Sequence, residues 1–177
     1  MKQMKLMNNK KLSNMKKFSI FIIAVLSIFT AQANRTLVRV VEYEQPSIQT
    51  KFGEYIQTKI NEVMTDNTTY FYEIVKNDHL NTMISYEELV IINKYISDLV
   101  CNAEEDLLKK YKSIELKYVT KDGLQIGYYI KRSKISWFIQ FGPSKDEIIY
   151  IKNKDVLVES FMNAQKTIEE IMKSKKQ

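Results

Sequence analysis

The chain contains one histidine, His79, and one cysteine, Cys101, and these two side chains have the widest chemical range in the sequence. A thiolate beside an imidazole is a nucleophile, and imidazole is also a common zinc ligand. Asp78 adjoins His79, but no second histidine and no specific orienting residue accompany the pair. The sequence therefore predicts no catalytic residue, no metal site and no cofactor.

Acidic side chains are numerous but show no catalytic pattern. The chain has 21 aspartate and glutamate residues, and a pair of catalytic carboxylates cannot be chosen among them from sequence. The run 104–106 is entirely acidic and falls on the outward face of a predicted helix, where charge is typical of a solvated surface. No phosphate-binding glycine motif and no nucleophile elbow is present, so no nucleotide-binding or hydrolase class is predicted.

Aromatic side chains indicate a different chemistry, the recognition of a partner. Several rings and amides fall out of phase with the predicted core positions of their strands, which places them on the open face of a sheet. Such a face can bind a peptide, a glycan or another protein. The alternative is that the rings stack on cross-strand neighbours and stabilise the sheet. The predicted binding surface comprises Tyr55, Phe71, Gln125, Tyr129, Phe138 and Gln140.

The first 33 residues predict the cellular compartment of the protein. Six lysines and no acid precede the apolar run 18–30, which is followed by Ala31-Gln-Ala33. This order is typical of a secretory signal peptide that is cleaved, and the segment from Met15 alone already has it, so translation could start at Met1 or at Met15. The run is shorter than the roughly 20 residues of a spanning helix. We therefore expect a periplasmic or secreted protein with no stable membrane insertion after cleavage.

Removal of the signal peptide changes the charge. The whole chain has 27 basic and 21 acidic residues, and loss of the six leading lysines leaves 21 of each in 34–177. A neutral domain gives no indication of nucleic-acid binding. A length of 144 residues suits a single domain, and the lone Cys101 excludes an internal disulfide.

Hydrophobic periodicity predicts the elements of the first half. The segment 37–41 favours a strand, and 48–60 fits either a helix or two strands joined near Gly53; we interpret it as two strands. Segments 70–75 and 82–84 favour strands. The S-x-x-E pattern of Ser85 and Glu88 predicts the start of an amphipathic helix that ends near Tyr111.

The second half repeats this pattern. Strands are predicted at 114–118, 124–130, 135–141 and 147–151, with a hairpin at Asp122-Gly123 and a tight turn at Ser133-Lys134. Asp155 is the predicted cap of the last helix. An offset of 67 residues aligns the two halves, through duplication or through the similarity of any two such units. The predicted fold is α+β, with a single antiparallel sheet of about seven to eight strands and two long helices on one face.

The part from Ser85 onward resembles small exported bacterial proteins of unknown function. The resemblance lies in 86–90, 122–129 and 135–139, and it implies no activity. The sequence therefore favours a non-enzymatic binding module that uses the open sheet face or a sheet edge. The expected partner is a protein, peptide or glycan of the cell envelope, and self-association through sheet edges is a further possibility. The alternative is a small periplasmic enzyme with a site assembled from distant residues.

Overall fold

The computed structural model describes residues 37–109 and 111–175, so the predicted signal peptide lies outside the described residues. The described residues have an α+β fold of eight strands and two long helices, and from Val38 onward they form one compact unit. The elements are β1 (Arg39–Gln49), β2 (Tyr55–Met64), β3 (Thr68–Val75), β4 (Asn81–Ser85), α1 (Tyr86–Leu108), β5 (Ser113–Val119), β6 (Gln125–Lys131), β7 (Lys134–Gln140), β8 (Ile148–Ile151) and α2 (Lys154–Ser174).

The strands form two antiparallel sheets of four, in the order β1-β2-β3-β4 and β5-β6-β7-β8. The prediction of one sheet of seven to eight strands is therefore not confirmed. The sheets meet at one isolated bridge between Thr50 and Ile151, flanked by a 2.8 Å hydrogen bond from the Lys51 amide to the Tyr150 carbonyl. Only a bridge forms because the chain turns away at Thr50 and enters β2.

Each half is an antiparallel meander followed by a helix, as the 67-residue offset predicts. Adding 67 to the first residues of β4 and α1 gives positions 148 and 153, against the observed starts of β8 at Ile148 and α2 at Lys154. The two halves therefore share one topology.

Helix starts follow the expected capping chemistry. Ser85 caps α1, and its side chain accepts a hydrogen bond from the Glu88 amide, which confirms the predicted start. The helix ends at Leu108, three residues before the predicted end. Asn153, not Asp155, caps α2 by accepting from the Val156 amide at 2.9 Å. Asp155 lies in the first turn, where its charge suits the positive end of the helix dipole.

The segment 48–60 forms two strands joined at Gly53, which has a φ of 85°. The first of them is a continuation of the strand predicted at 37–41. Its register shifts between Gln45 and Ile48, where Pro46 has no N–H to donate to a ladder. Arg132 and Ser133, with φ values of 51° and 60°, form the β6–β7 turn one residue before its predicted position.

One buried apolar cluster contains residues of both sheets and both helices. Helix α1 packs mainly on β5 and β6 and also touches β3 and β4, whereas α2 packs on β1, β2 and β8 and against α1. Both helices thus cover apolar sheet faces, and each contacts strands of both sheets. Within 37–109 and 111–175, no helix is long and apolar enough to cross a bilayer.

Candidate functional site

A cleft of about 440 Å³ opens where β8 ends. Ile151 is the last residue of β8 and pairs with Trp137, so Ile135 and Ser136 of β7 extend past the end of their neighbour. After Ile151 the chain leaves the sheet and begins α2. A gap remains beside Ile135 and Ser136, and residues of α1 line its core side. We call this opening the Trp137 cleft. It is lined by Lys51, Val100, Ala103, Glu104, Leu107, Ile135, Ser136, Trp137, Ile151, Lys152, Asn153, Lys154 and Asp155.

The floor of the Trp137 cleft is apolar and well supported. Trp137 is 5% exposed, and its ring is tilted against Tyr128 at a centroid distance of 5.3 Å. The Tyr128 hydroxyl donates a 2.7 Å hydrogen bond to the buried carboxylate of Asp106, and burial together with this bond raises the pKa of Tyr128. Since a buried hydroxyl needs its partner, this contact fixes the ring behind Trp137.

The rim of the cleft is basic. Lys154 forms an ion pair with Glu104 at 2.9 Å, and this hydrogen bond raises the pKa of Lys154. Lys51 donates to the Ser136 hydroxyl at 3.3 Å. Neither Lys51 nor Lys152 forms an ion pair with any described residue. Lys51 and Lys152 therefore border the apolar floor without an ion-pair partner among the described residues, and Glu104 and Asp155 are the carboxylates that also line the cleft.

The start of α2 also lines the cleft, through Lys154 and Asp155. The backbone N–H groups of a first helical turn carry partial positive charge, which adds to that of the rim. The Asp155 carboxylate in the same turn opposes it. The arrangement suits a ligand whose apolar part covers Trp137 and whose anionic group reaches Lys51 or Lys152.

The predicted binding surface is divided between the two sheets. Tyr55 and Phe71 lie on the first sheet, where Tyr55 is 63% exposed and Phe71 is half-buried. The remaining four residues lie on the second sheet, where Tyr129 is half-buried and faces Ser136 and Glu115 across the strands. Tyr55 and Phe71 therefore lie on a different sheet from the other four side chains.

Two of the six side chains are buried. Phe138 is 3% exposed and lies between Gly127 and Tyr150, and Gln140 is 5% exposed. The side-chain amide of Gln140 donates to the Gly142 carbonyl at 2.6 Å, and that of Gln125 donates to the same oxygen at 3.2 Å. The loop 141–147 is thus tied over this end of the second sheet, which alternation alone could not reveal.

Charged side chains occupy the outer face of the first sheet between Tyr55 and Phe71. Lys59 lies 2.7 Å from Glu42 and 3.4 Å from Glu73, and the hydrogen bond with Glu42 raises its pKa. The Asn61 amide also donates to Glu73. This ladder of paired charges stabilises the pleated surface across three strands and separates the two rings.

His79 and Cys101 lie on separate elements. His79 is in the β3–β4 turn, where the Asn77 side chain accepts from its backbone amide at 3.0 Å. Cys101 is an exposed residue of α1, and neither residue lines the Trp137 cleft. Among the described residues, no three histidine, cysteine, aspartate or glutamate side chains are placed to hold a metal ion.

Sequence reasoning missed the Trp137 cleft because its residues come from four separate segments. Trp137 lies in the strand predicted at 135–141 and is buried, and the lysines of the rim show no pattern in the sequence. The one available signal was the length difference between the strands at 135–141 and 147–151, which leaves part of the longer strand without a neighbour.

In comparisons with known proteins, no family model, no curated protein and no solved structure matches the chain.

Proposed function

We propose that this protein is an exported, non-enzymatic binding protein that holds a small amphipathic anion in the Trp137 cleft. The apolar part of the ligand covers Trp137, and its anionic group lies between Lys51 and Lys152. The observation that carries this proposal is that Lys51 and Lys152 line an apolar cleft and form no ion pair with a described residue, whereas Glu104 of the same cleft is already paired with Lys154.

Size and charge support this ligand class. A volume of about 440 Å³ falls within the range of small-molecule pockets. The predicted mature domain has equal numbers of basic and acidic residues, so the positive rim is a local feature and does not reflect an overall basic surface. The proposed site differs from the predicted sheet face because Phe138 and Gln140 are buried there.

Decanoate is expected to bind in the cleft more tightly than decanol or decyltrimethylammonium. The three probes have alkyl chains of nine or ten carbons, and only decanoate can form a hydrogen bond with a lysine in which both partners are charged. Trp137 is the only tryptophan of the chain, so its emission reports on the floor of the cleft directly. Titration by tryptophan fluorescence, with calorimetry as a second measurement, gives the three affinities.

Replacement of both Lys51 and Lys152 by alanine should weaken decanoate binding by about tenfold and leave decanol binding unchanged, because bonds to charged groups contribute most to such a contact. The matched control is Lys121→Ala with Lys166→Ala, which removes two lysines that do not line the cleft. Equal affinity for decanoate and decanol, or an unchanged decanoate affinity in the Lys51/Lys152 variant, would show that the rim does not select an anion.

A further inference from the structure

Strand β5 is an outer strand of the second sheet, and among the described residues it pairs with β6 alone. The backbones of β5 and β6 approach each other closely at Gly127. A Cβ atom at this position would lie 2.2 Å from the Leu116 carbonyl oxygen, so a larger residue would not fit. A strand with one unpaired edge offers a row of N–H and C=O groups to a further strand.

Apolar side chains lie beside the free edge, on the face of the sheet that α1 covers. Leu116 is 37% exposed, and Tyr95 of α1 is 43% exposed beside it. A groove of about 320 Å³ between β5 and α1 is lined by these two residues and by Leu99, Tyr118, Asp98, Asn102 and Lys117. Tyr95 stacks on Tyr118 at a centroid distance of 4.5 Å. The edge is therefore open, and on its core side it adjoins a groove whose lining is apolar at Tyr95, Leu99, Leu116 and Tyr118.

The hairpin fixes which backbone groups point outward. The Thr120 amide donates to the Leu124 carbonyl at 2.8 Å, so this pair is hydrogen-bonded. Bonded and non-bonded pairs alternate along an antiparallel ladder, so the amide and carbonyl groups of Leu116 point toward β6. Those of the odd-numbered residues, Ser113, Glu115, Lys117 and Val119, point to the free edge.

We propose that two copies of this chain associate through β5, antiparallel, with a two-fold axis at Leu116. In this register Glu115 lies opposite Lys117 of the partner subunit, and Ser113 lies opposite Val119 of the partner subunit. Each of these residues presents its backbone groups to the other, so four bonded pairs join the two strands. The two second sheets then continue into one another.

Charge selects this register over its neighbours. A shift of two residues in one direction places Glu115 opposite Glu115 of the partner subunit, and a shift in the other direction places Lys117 opposite Lys117 of the partner subunit. A shift of one residue puts outward backbone groups opposite groups already bonded to β6. Like charges directly opposite each other destabilise a ladder, whereas opposite charges stabilise it. The strand is thus complementary to itself in one register.

The two-fold axis also covers the apolar groove. Leu116 meets its own copy in the central non-bonded pair, and the Tyr95 side of α1 from each copy lies below the joined strands. A second copy would therefore pair the free backbone groups of β5, place opposite charges against each other and cover the apolar part of the groove. The residues of this interface do not line the Trp137 cleft, so dimerisation does not depend on the proposed ligand.

Light scattering after size exclusion should show a dimer, and single charge reversals should weaken it. Glu115→Lys makes the edge wholly basic and Lys117→Glu makes it wholly acidic, and each should raise the dimer dissociation constant by about tenfold or more. The double variant, which exchanges the two charges, should dimerise as the wild type does.

Mixing the two single variants is the sharpest test, because an all-basic edge faces an all-acidic edge in the mixed pair. We expect a heterodimer at least as stable as the wild-type dimer. Lys117 and Glu115 also form an ion pair within one strand at 2.8 Å, and loss of that pair cannot be repaired by mixing. Failure of the mixture to dimerise would overturn the proposal.

A cysteine cross-link tests the axis. In a Cys101→Ser background, Leu116→Cys should form a disulfide-linked dimer under mild oxidation, because the central non-bonded pair brings the two Cα atoms within disulfide range. Val119→Cys is the control, since Val119 is more exposed, at 51%, but lies away from the axis. A monomeric wild-type protein, or equal cross-linking at both positions, would overturn the proposal; in the first case the edge would remain for an extended peptide of another protein.

Discussion

Replacement of Phe161 by alanine is expected to lower the free energy of unfolding by about 3–5 kcal/mol. Phe161 lies on the core side of α2 and is fully buried. Its ring meets Tyr72 of β3 edge-on, with centroids 5.5 Å apart and planes at 75°. Truncation removes this contact and the burial of a whole ring, and it leaves a cavity between α2 and the first sheet.

The cavity cannot close easily because α2 is held on two sides at this point. The Asn93 side chain of α1 donates to the Phe161 carbonyl at 3.1 Å. Tyr72 and Ser160 share a hydrogen bond between their hydroxyls, and burial raises the pKa of Tyr72 to about 12. These bonds persist when the ring is removed, so they hold the helix backbone away from the sheet. The cost therefore includes the full cavity term.

Urea unfolding, followed by circular dichroism and by Trp137 fluorescence, measures this change. Because one apolar cluster joins both sheets, the two signals should shift together although Trp137 lies in the second sheet. Met162→Ala is the control, since the neighbouring side chain is 57% exposed and its removal should cost less than about 0.5 kcal/mol. Separate transitions for the two signals, or a loss below about 1 kcal/mol for Phe161→Ala, would contradict a shared core.

Local chemistry made much of the fold predictable from sequence. The capping pattern of Ser85 and Glu88 defines the start of α1, and the Asp122-Gly123 pair defines the β5–β6 hairpin. Both signals depend on residues that are close along the chain, and their geometry is nearly independent of the rest of the molecule. The alternation of the strands likewise predicts which side chains enter the core.

Features that depend on distant segments were not predictable in this way. Whether β1 and β8 form a ladder or a single bridge depends on where the chain turns at Thr50, and the prediction of one sheet was not confirmed in this respect. Phe138 follows the alternation of β7, yet it is buried because Tyr150 and the loop 141–147 lie on its side of the sheet. Periodicity assigns a side chain to a face but does not reveal what covers that face.

Glu62 is a titratable residue whose surroundings the alternation of its strand likewise does not predict. It follows Ile60 in the inward phase of β2, a position at which alternation predicts an apolar residue, and its side chain is fully buried. The carboxylate accepts from the Tyr43 hydroxyl at 3.0 Å and the Tyr70 hydroxyl at 3.3 Å, and it forms an ion pair with Lys175 at the end of α2. Three elements therefore converge on one acid.

These partners determine the ionisation of Glu62. Burial by itself raises the pKa of the carboxyl, but the hydrogen bonds from Lys175 and Tyr43 outweigh it and hold the pKa below its ordinary value of 4.5. The partners respond in the opposite sense, since the hydrogen bond with Glu62 raises the pKa of Lys175 above 10.5. The folded state therefore favours the charged form of both groups.

Glu62→Gln is expected to lower the free energy of unfolding by about 2–3 kcal/mol at pH 7, because three hydrogen bonds lose their charged acceptor. A carboxyl with a depressed pKa contributes stability that is fully present above its unfolded pKa of 4.5 and is lost as the pH falls through the folded value. The difference between wild type and variant should therefore stay constant from about pH 5 to pH 9 and shrink in acid. Urea unfolding at a series of pH values measures it.

Glu42→Gln is the matched control, because Glu42 is paired with Lys59 on the outer face of the same sheet and its side chain is 54% exposed. An exposed pair of this kind contributes at most about 1 kcal/mol. A wild type that lost no more stability in acid than Glu62→Gln would mean that folding does not lower the pKa of Glu62. A larger loss in the wild type would identify the buried carboxylate as the group that holds the end of α2 against the first sheet. The stability of the domain in acid would then depend largely on the ionisation of Glu62.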